Sequence, residues 1–156
     1  MRLKEGDSAP PFTLLDEEKH EHTLSEFLGS WVLLYFYPKD DTPGCTVEAT
    51  GFRDHFDKLT RAGVVVLGVS KDTVPSHKRF KEKYKLPFFL LSDKEKELAK
   101  RYGALGKKKF MGREYMGVLR NSYLIDPKGV VRKIYEKVDP KRHAEQVLGD
   151  VETFKA

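Results

Sequence analysis

The sequence predicts an α/β fold with a central mixed β-sheet flanked by helices. Two continuous apolar segments, Trp31–Tyr37 and Val64–Ser70, are typical of buried strands, and each is followed by a helical pattern. A later pair of apolar segments surrounds the turn at Asp126–Gly129 and predicts an antiparallel hairpin. Strand–helix–strand units give parallel neighbours through right-handed crossovers, so the hairpin would add antiparallel strands to a parallel sheet.

Shorter patterns predict the remaining elements. Two short strands, Phe12–Leu15 and Lys19–Thr23, would surround an acidic turn, and Ser25 would cap a single helical turn through Leu28. The expected helices are Pro43–Thr60, Pro75–Tyr84, Lys94–Tyr102 and Lys141–Phe154. The expected hairpin strands are Asn121–Ile125 and Val130–Glu136. This order is that of a thioredoxin-like fold with an N-terminal β extension, and residues 1–156 suit one domain.

Composition excludes several classes of protein. The net charge is +5, but basic residues are mixed with acids along the chain, and the densest cluster, Lys107–Lys109, is short. We therefore expect a solvated basic surface and no nucleic-acid partner. No apolar run approaches the roughly 20 residues that span a bilayer, and the charged segment Met1–Pro11 shows no secretory signal. One cysteine fits a reducing compartment, so the expected location is the cytoplasm.

The segment from Tyr37 to Glu48, YPKDDTPGCTVE, carries the chemistry. It follows a buried strand and opens a helix, with Thr42 suited to the N-cap and Pro43 to the first helical position. Cys45 then lies in the first turn, where unpaired backbone N–H groups and the helix dipole favour the thiolate. By position alone, a reactive nucleophile and a small buried apolar residue are about equally good interpretations.

The surrounding residues favour the nucleophile. The pattern Pro38-x-x-x-Thr42-x-x-Cys45 resembles the peroxiredoxin signature, and the longer stretch around it is similar to the bacterioferritin comigratory protein, or peroxiredoxin Q, branch. Other parts of the chain carry the same resemblance, in the order GDxAPxF at 6–12, GVSKD at 68–72, GRxYxGxxR at 112–120 and YLID at 123–126.

The resemblance implies a role for each residue of the site. Cys45 would attack the peroxide and become a sulfenic acid, while Thr42 would direct its hydroxyl at the sulfur and the peroxide. Arg120 would stabilise the thiolate and the charge that develops as the O–O bond lengthens. Pro38 would cover the site and exclude water, and Glu48 would orient Arg120.

Without the resemblance, simpler interpretations hold for the same residues. Thr42 could be an N-cap only, and Pro38 could be a strand terminator. Glu48 could be an acid favoured by the helix dipole, and Arg120 could be a surface residue before a strand. A non-enzymatic binding module with a vestigial Cys45 would not need Pro38, Thr42 and Arg120 together, which favours the enzyme.

The sequence departs from many members of the resembled family at the resolving cysteine. The position five residues after Cys45 is Thr50, and the chain has no other cysteine. A hydroperoxide substrate would therefore be reduced with an external thiol, namely thioredoxin, glutaredoxin or a small thiol. We expect no cofactor and no metal, and a monomer or weak homodimer.

Other functions fit the residues less well. A cysteine phosphatase would need an arginine at position 51, which is glycine, and a thioredoxin-type oxidoreductase would need a second cysteine at Glu48. His20 and His22 are expected to be exposed in a polar turn. The other histidines lie in helical stretches and are expected to face solvent: His55, His77 and His143. Trp31 is expected in the core.

Overall fold

A seven-stranded β-sheet forms the centre of the computed structural model, which describes residues 2–156. The strands lie in the order β2-β1-β5-β4-β3-β8-β9. Their bounds are β1 Thr13–Leu15, β2 Glu21–Thr23, β3 Trp31–Phe36, β4 Val64–Ser70, β5 Phe89–Ser92, β8 Ser122–Ile125 and β9 Val131–Tyr135. A separate hairpin contains β6 Leu105–Phe110 and β7 Arg113–Val118. The helices are α1 Pro43–Asp54, α2 Phe56–Arg61, α3 Val74–Tyr84, α4 Glu97–Tyr102 and α5 His143–Lys155.

The centre of the sheet is mixed, as predicted. β3 pairs in parallel with β4 on one side and antiparallel with β8 on the other, and β4 pairs in parallel with β5. All six residues of β3 are buried because helices cover one face and other segments cover the second. Tyr35 packs with apolar residues of α1, α2, α3 and α5, whereas Phe36 packs with residues of α4 and the N-terminal segment. Two clusters of buried residues therefore lie on the two faces of β3, and the carboxyl end of this strand leads into α1.

The prediction of one continuous helix over Pro43–Thr60 is wrong, because the segment forms two helices. α1 ends at Asp54 and α2 begins at Phe56, with His55 between them at φ −102° and ψ 10°. The His55 backbone N–H donates to the Gly51 carbonyl at 3.1 Å, and His55 Nδ1 lies 2.9 Å from the same oxygen. The side chain competes for a helix carbonyl at this point, which the apolar spacing of the sequence did not reveal.

The prediction omitted three strands. β5 lies inside the apolar segment that follows Pro87, where the sequence contains a short strand-like run. The hairpin of β6 and β7 turns at Met111 and Gly112, which have φ values of 52° and 79°. Two consecutive residues with positive φ are typical of a tight hairpin turn, but a methionine at the first position is not a recognisable signal.

Several local expectations also need correction. The short 3-10 helix Leu24–Phe27 has Thr23 at its N-cap, so Ser25 lies inside the turn and does not cap it. Glu26 accepts a hydrogen bond from the Thr23 backbone N–H at 2.7 Å, which fixes the start of the helix. Trp31 is buried and stacks on Phe154, as predicted for a core residue.

The expected exposure of the histidines is wrong for most of them. His22, His77 and His143 are buried, and His55 is half-buried, while His20 is exposed. Buried polar side chains find partners, and His22 lies 2.6 Å from Asp16 and His143 lies 2.8 Å from Ser122. Within residues 2–156, the helices are all too short or too polar to cross a bilayer.

Candidate active site

Cys45 lies in the first turn of α1, immediately beyond the carboxyl end of β3. Thr42 occupies the N-cap position with extended backbone angles, and Pro43 begins the helix. Asp41 takes a positive φ of 56°, which turns the chain from the strand into the helix. The Cys45 side chain is buried at 2% exposure. The backbone thus fixes the sulfur at a helix start, where N–H groups lack intrahelical partners.

Arg120 approaches the sulfur from the other side of β3. It lies between β7 and β8, and its Nη2 is 3.4 Å from Cys45 Sγ. Gly44 permits this approach, because a Cβ at that position would lie 3.0 Å from Arg120 Nη2. A guanidinium at this distance supplies a fixed positive charge to the sulfur and to an oxygen bonded to it.

Glu48, one turn after Cys45, holds the other end of the same guanidinium. Arg120 Nη1 donates to Glu48 Oε1 at 2.8 Å, and the Glu48 side chain is fully buried. Within residues 2–156, Glu48 Oε2 has no hydrogen-bond partner. Burial raises the pKa of Glu48 to about 7, although Arg120 acts in the opposite direction. Burial lowers the pKa of Arg120, but Glu48 and Cys45 outweigh it, so that pKa is raised.

Thr42 and Pro38 have contacts that differ from those expected. The Thr42 hydroxyl donates to the Lys39 carbonyl at 2.9 Å. Among the described residues, it neither caps the helix nor bonds to Cys45. Pro38 is half-buried and lines a cavity of about 320 Å³ together with Arg120. The structure therefore joins Cys45 and Glu48 through Arg120, while Thr42 is the N-cap of the same helix and Pro38 shares a cavity wall with Arg120.

A second buried cluster, which sequence reasoning missed, lies under the loop that leads to α1. Asp40 Oδ1 accepts from the Tyr37 hydroxyl at 2.6 Å, and Asp40 Oδ2 accepts from the Ser76 hydroxyl at 2.8 Å. His77 Nδ1 lies 2.7 Å from Asp40 Oδ2, and His77 Nε2 lies 3.1 Å from the Leu91 carbonyl. Because a carbonyl only accepts, Nε2 carries a hydrogen in this network.

The spacing of His77 and Phe80 was an available signal for this cluster. The two residues are three positions apart on α3, which places them on the same face, and both are buried. Asp40 lies in the loop segment that precedes Cys45. An aspartate in a loop is normally exposed, so the sequence did not indicate that it is buried.

The cluster also contains residue types that bind metals. Ligand atoms of Asp40, Asp72 and His77 all lie within 4.8 Å of one another. However, the Asp72 carboxylate already accepts from the Ser70 hydroxyl at 2.6 Å and from the Asp40 backbone N–H at 2.8 Å. Since these oxygens and nitrogens have partners within the protein, we interpret the cluster as a hydrogen-bonded network that ties the loop to β4 and α3.

Comparison with known proteins identifies the family. The sequence pattern of the AhpC/TSA family matches residues 6–134. This chain belongs to the AhpC/TSA family. A putative peroxiredoxin bcp of Coxiella burnetii is 48% identical over 96% of this chain and 99% of that protein. Peroxiredoxin Bcp of Escherichia coli is 45% identical over 94% of each chain. The chain is therefore a peroxiredoxin, an enzyme that reduces peroxides with a thiol.

Solved structures of peroxiredoxin Q share the fold. The enzyme of Xanthomonas campestris has a TM-score of 0.88 at 34% identity and covers 93% of this chain and 92% of its own. A Cys-to-Ser variant of the Xylella fastidiosa enzyme has a TM-score of 0.94 at 30% identity, covering 100% of this chain and 99% of its own. The predicted thioredoxin-like fold and the resemblance to the bacterioferritin comigratory protein branch are thereby confirmed.

Proposed function

We propose that Cys45 is the residue of this peroxiredoxin that attacks the peroxide, and that Arg120 is its electrostatic partner. The observation that carries the proposal is the bridging guanidinium, with Nη2 at 3.4 Å from Cys45 Sγ and Nη1 at 2.8 Å from Glu48 Oε1. A structural arginine would need only the carboxylate. The second contact, to the only cysteine of the chain, favours a role in the reaction.

The reaction follows from these atoms. The Cys45 thiolate attacks one peroxide oxygen, the S–O bond forms and the O–O bond breaks, which leaves a sulfenic acid and an alkoxide or hydroxide that takes up a proton. Negative charge moves from sulfur to the leaving oxygen during this step. Arg120 stabilises the charge at both positions, and Glu48 keeps the guanidinium oriented because it holds the opposite nitrogen.

Thr42 and Pro38 complete the proposed site. The Thr42 hydroxyl donates to Lys39 in the resting protein, and its oxygen lone pairs remain able to accept from a peroxide O–H. Pro38 is half-buried and lines a cavity together with Arg120, which supports a position at the edge of the site. We propose that these two residues bind the peroxide and limit the access of water.

Substrate class and recycling extend the proposal. The Xanthomonas campestris bacterioferritin comigratory protein, 33% identical, is described as having alkyl peroxide reduction activity. We propose hydrogen peroxide and organic hydroperoxides as substrates here. Since Cys45 is the only cysteine, an external thiol would return the sulfenic acid to the thiol, and thioredoxin, glutaredoxin or a small thiol could supply it.

Three further expectations stay predictions. We propose that residues 1–156 act as a single domain, which the continuous seven-stranded sheet supports. We propose the cytoplasm as the location, because a reactive unpaired thiol such as Cys45 suits a reducing compartment. The oligomeric state is predicted to be a monomer or a weak homodimer.

The direct test is a single-turnover reaction. The protein is mixed with one equivalent of hydrogen peroxide, and dimedone adducts are measured by intact mass spectrometry. We expect one oxygen atom to be added and one dimedone adduct to form on Cys45. Cys45→Ser should give neither product. A peroxide-consuming Cys45→Ser variant would show that another group does the chemistry.

Thr42→Val tests the proposed role of the hydroxyl. Removing one donor or acceptor from a site that stabilises a transition state typically slows the reaction by about 10²–10³. We expect that loss in the rate with hydrogen peroxide, and a much smaller change in the rate of Cys45 alkylation by iodoacetamide. Thr46→Val is the matched control on the next turn of α1. Equal rates for Thr42→Val and wild-type protein would remove Thr42 from the site.

A further inference from the structure

A cavity of about 320 Å³ has in its wall Arg120, the residue that contacts Cys45. Pro38 and Arg120 form part of its wall, and Arg120 Nη2 is also the atom that lies 3.4 Å from Cys45 Sγ. The volume falls at the lower end of the roughly 300–1,000 Å³ that small-molecule pockets occupy. The cavity is therefore large enough for a small organic molecule, and it shares Arg120 with the site at Cys45.

The wall of this cavity is strongly basic. We call it the basic pocket and define it by the six residues Arg2, Pro38, Lys108, Arg120, Glu136 and Lys137. Four of them are cationic and one is anionic. Clustered charges of one sign in a cleft attract ligands of the opposite sign. An anion is consequently the ligand that this cavity favours.

Two of these cations lack an acidic partner. Arg2 pairs with Glu136 at 2.9 Å, and Arg120 pairs with Glu48. In contrast, neither Lys108 nor Lys137 forms a salt bridge in the part of the chain that the structure describes, residues 2–156. Burial lowers the pKa of Lys108, and the charge of Arg120 lowers it further, while Cys45 opposes the change. An anion in the basic pocket would relieve this repulsion between cations.

We propose that the basic pocket binds the carboxylate of a small anionic thiol, which reduces the sulfenic acid of Cys45. The inference rests on the proposed function, because it concerns the second half of the same reaction cycle. The thiol sulfur attacks the sulfenic sulfur, an S–S bond forms, the S–O bond breaks, and the oxygen leaves as water. A second molecule of the thiol then attacks the mixed disulfide, so two thiols are oxidised to one disulfide and Cys45 is restored.

The burial of the sulfur favours a small thiol over a protein thiol. Cys45 is 2% exposed, so any reductant needs the site to open, and a small thiol needs a smaller opening than a protein does. A small molecule held in the basic pocket would already lie beside Arg120. Holding the thiol there raises its effective concentration at the sulfenic acid.

The experiment separates the two half-reactions. The protein is first oxidised with one equivalent of hydrogen peroxide, and formation of the sulfenic acid is confirmed by mass spectrometry. It is then mixed with reduced glutathione, which is anionic, or with 2-mercaptoethanol, which is neutral. The appearance of the mixed disulfide on Cys45 gives the rate for each thiol, and the glutathione-to-mercaptoethanol ratio of rates cancels effects common to both.

The variants remove the unpaired cations one at a time and together. In the double variant Lys108→Gln/Lys137→Gln, we expect the glutathione-to-mercaptoethanol ratio of rates to fall about tenfold. Charge attraction in a cleft changes association rates by this order or more. Lys109→Gln is the matched control, since it removes the same charge from the adjacent, exposed position of β6. Its ratio should change by less than about twofold. S-methylglutathione, which has no free thiol, should slow reduction by mercaptoethanol in the wild-type protein only.

Each alternative outcome has a distinct signature. An unchanged ratio in the double variant, or an equal fall in Lys109→Gln, would overturn the proposal. So would a double variant that keeps the ratio but reacts more slowly than the wild type with linoleic acid hydroperoxide and equally fast with hydrogen peroxide, because the pocket would then bind an anionic substrate. Failure to form the sulfenic acid in the first step would instead reject the proposed function itself.

Discussion

The two sides of the carboxyl end of β3 carry buried acid–base pairs that differ in how completely they are hydrogen-bonded. On the β4 side, Asp40 uses both carboxylate oxygens, accepting from Tyr37 and Ser76, and His77 Nδ1 lies 2.7 Å from Asp40 Oδ2. On the β8 side, Glu48 uses one oxygen for Arg120, and within residues 2–156 the other has no partner.

The difference separates a structural pair from a reactive one. A satisfied network such as that of Asp40 makes its geometry rigid, because every displacement breaks a hydrogen bond. The pair of Glu48 and Arg120 is incompletely satisfied and lies next to Cys45, so its charge can respond when the sulfur gains or loses charge. Departures from full polar satisfaction concentrate at functional sites. The following variants test this contrast.

Removal of the arginine should have the largest effect. In Arg120→Ala, we expect the rate of Cys45 with hydrogen peroxide to fall by about 10²–10³, because the guanidinium stabilises the charge of the breaking O–O bond. Alkylation of Cys45 by iodoacetamide should slow much less, since no O–O bond breaks in that reaction. Stopped-flow measurement of both rates gives the comparison.

Arg113→Ala is the matched control for this variant, because Arg113 is an exposed arginine on β7. Its rates with both reagents should equal those of the wild-type protein. Equal losses in the peroxide and alkylation rates of Arg120→Ala would mean that Arg120 only maintains the thiolate or the fold.

Glu48→Gln should change the pH dependence of stability. The folded-state pKa of Glu48, about 7, lies above the ordinary value of 4.5 because the carboxyl is buried. The contribution of this group to the free energy of unfolding is therefore fully present below pH 4.5 and is lost as pH rises through 7. The loss amounts to about 3 kcal/mol, at 1.36 kcal/mol for each unit of pKa.

Urea unfolding at several pH values measures this effect. The difference in free energy of unfolding between wild type and Glu48→Gln should shift in favour of Glu48→Gln between pH 4.5 and 7. Glu152→Gln, an exposed position on α5, is the control and should show no comparable shift. Parallel curves for wild type and Glu48→Gln would contradict the raised pKa.

His77→Gln tests the hydrogen-bonded network around Asp40. Loss of the imidazole would leave Asp40 or the Leu91 carbonyl with fewer donors in a buried place, which costs about 2 kcal/mol in the free energy of unfolding. The peroxide rate should fall less than in Arg120→Ala, since His77 does not contact the sulfur. Arg79→Gln, exposed on the same helix, should be neutral. A peroxide rate as low as that of Arg120→Ala would abolish the distinction between the two sides.

Two tyrosines on consecutive inward positions give the smallest and sharpest comparison. The Tyr37 hydroxyl donates to Asp40 at 2.6 Å, whereas the Tyr35 hydroxyl has no partner within residues 2–156. Tyr37→Phe should reduce the free energy of unfolding by about 1.5 kcal/mol, the lower value for a hydrogen bond to a charged group. Tyr35→Phe should change it by less than about 0.5 kcal/mol or increase it. Urea titrations that show equal losses in both variants would mean that the Tyr35 hydroxyl is satisfied.

The local sequence predicted the elements that carry the nucleophile. β3 and β4 are continuous apolar segments, and their bounds agree with the prediction to within one residue. Thr42 and Pro43 predicted the start of α1 and therefore the first-turn position of Cys45. These features follow from interactions between residues a few positions apart, which a sequence pattern records directly.

The resemblance to peroxiredoxins named Arg120 as a site residue, but only the structure gave its geometry. Arg120 and Cys45 are 75 positions apart, and they meet because β8 pairs beside β3. The same holds for Asp40 and His77, which are 37 positions apart. His77 was predicted to face solvent as a residue of a helical stretch, and its burial depends on what packs against one face of that helix.

The sequence alone thus determined that this chain is an α/β protein with one cysteine at a helix start and no second cysteine to form a disulfide with it. Tertiary structure decided which charges lie near that cysteine: Arg120 contacts the sulfur, Glu48 holds Arg120, and Lys108 and Lys137 line a cavity that shares Arg120. The physical reason is the distance along the chain over which the interactions act. Helix starts and buried strands depend on neighbouring residues, whereas the field at a sulfur depends on every charge that the folded sheet brings near it.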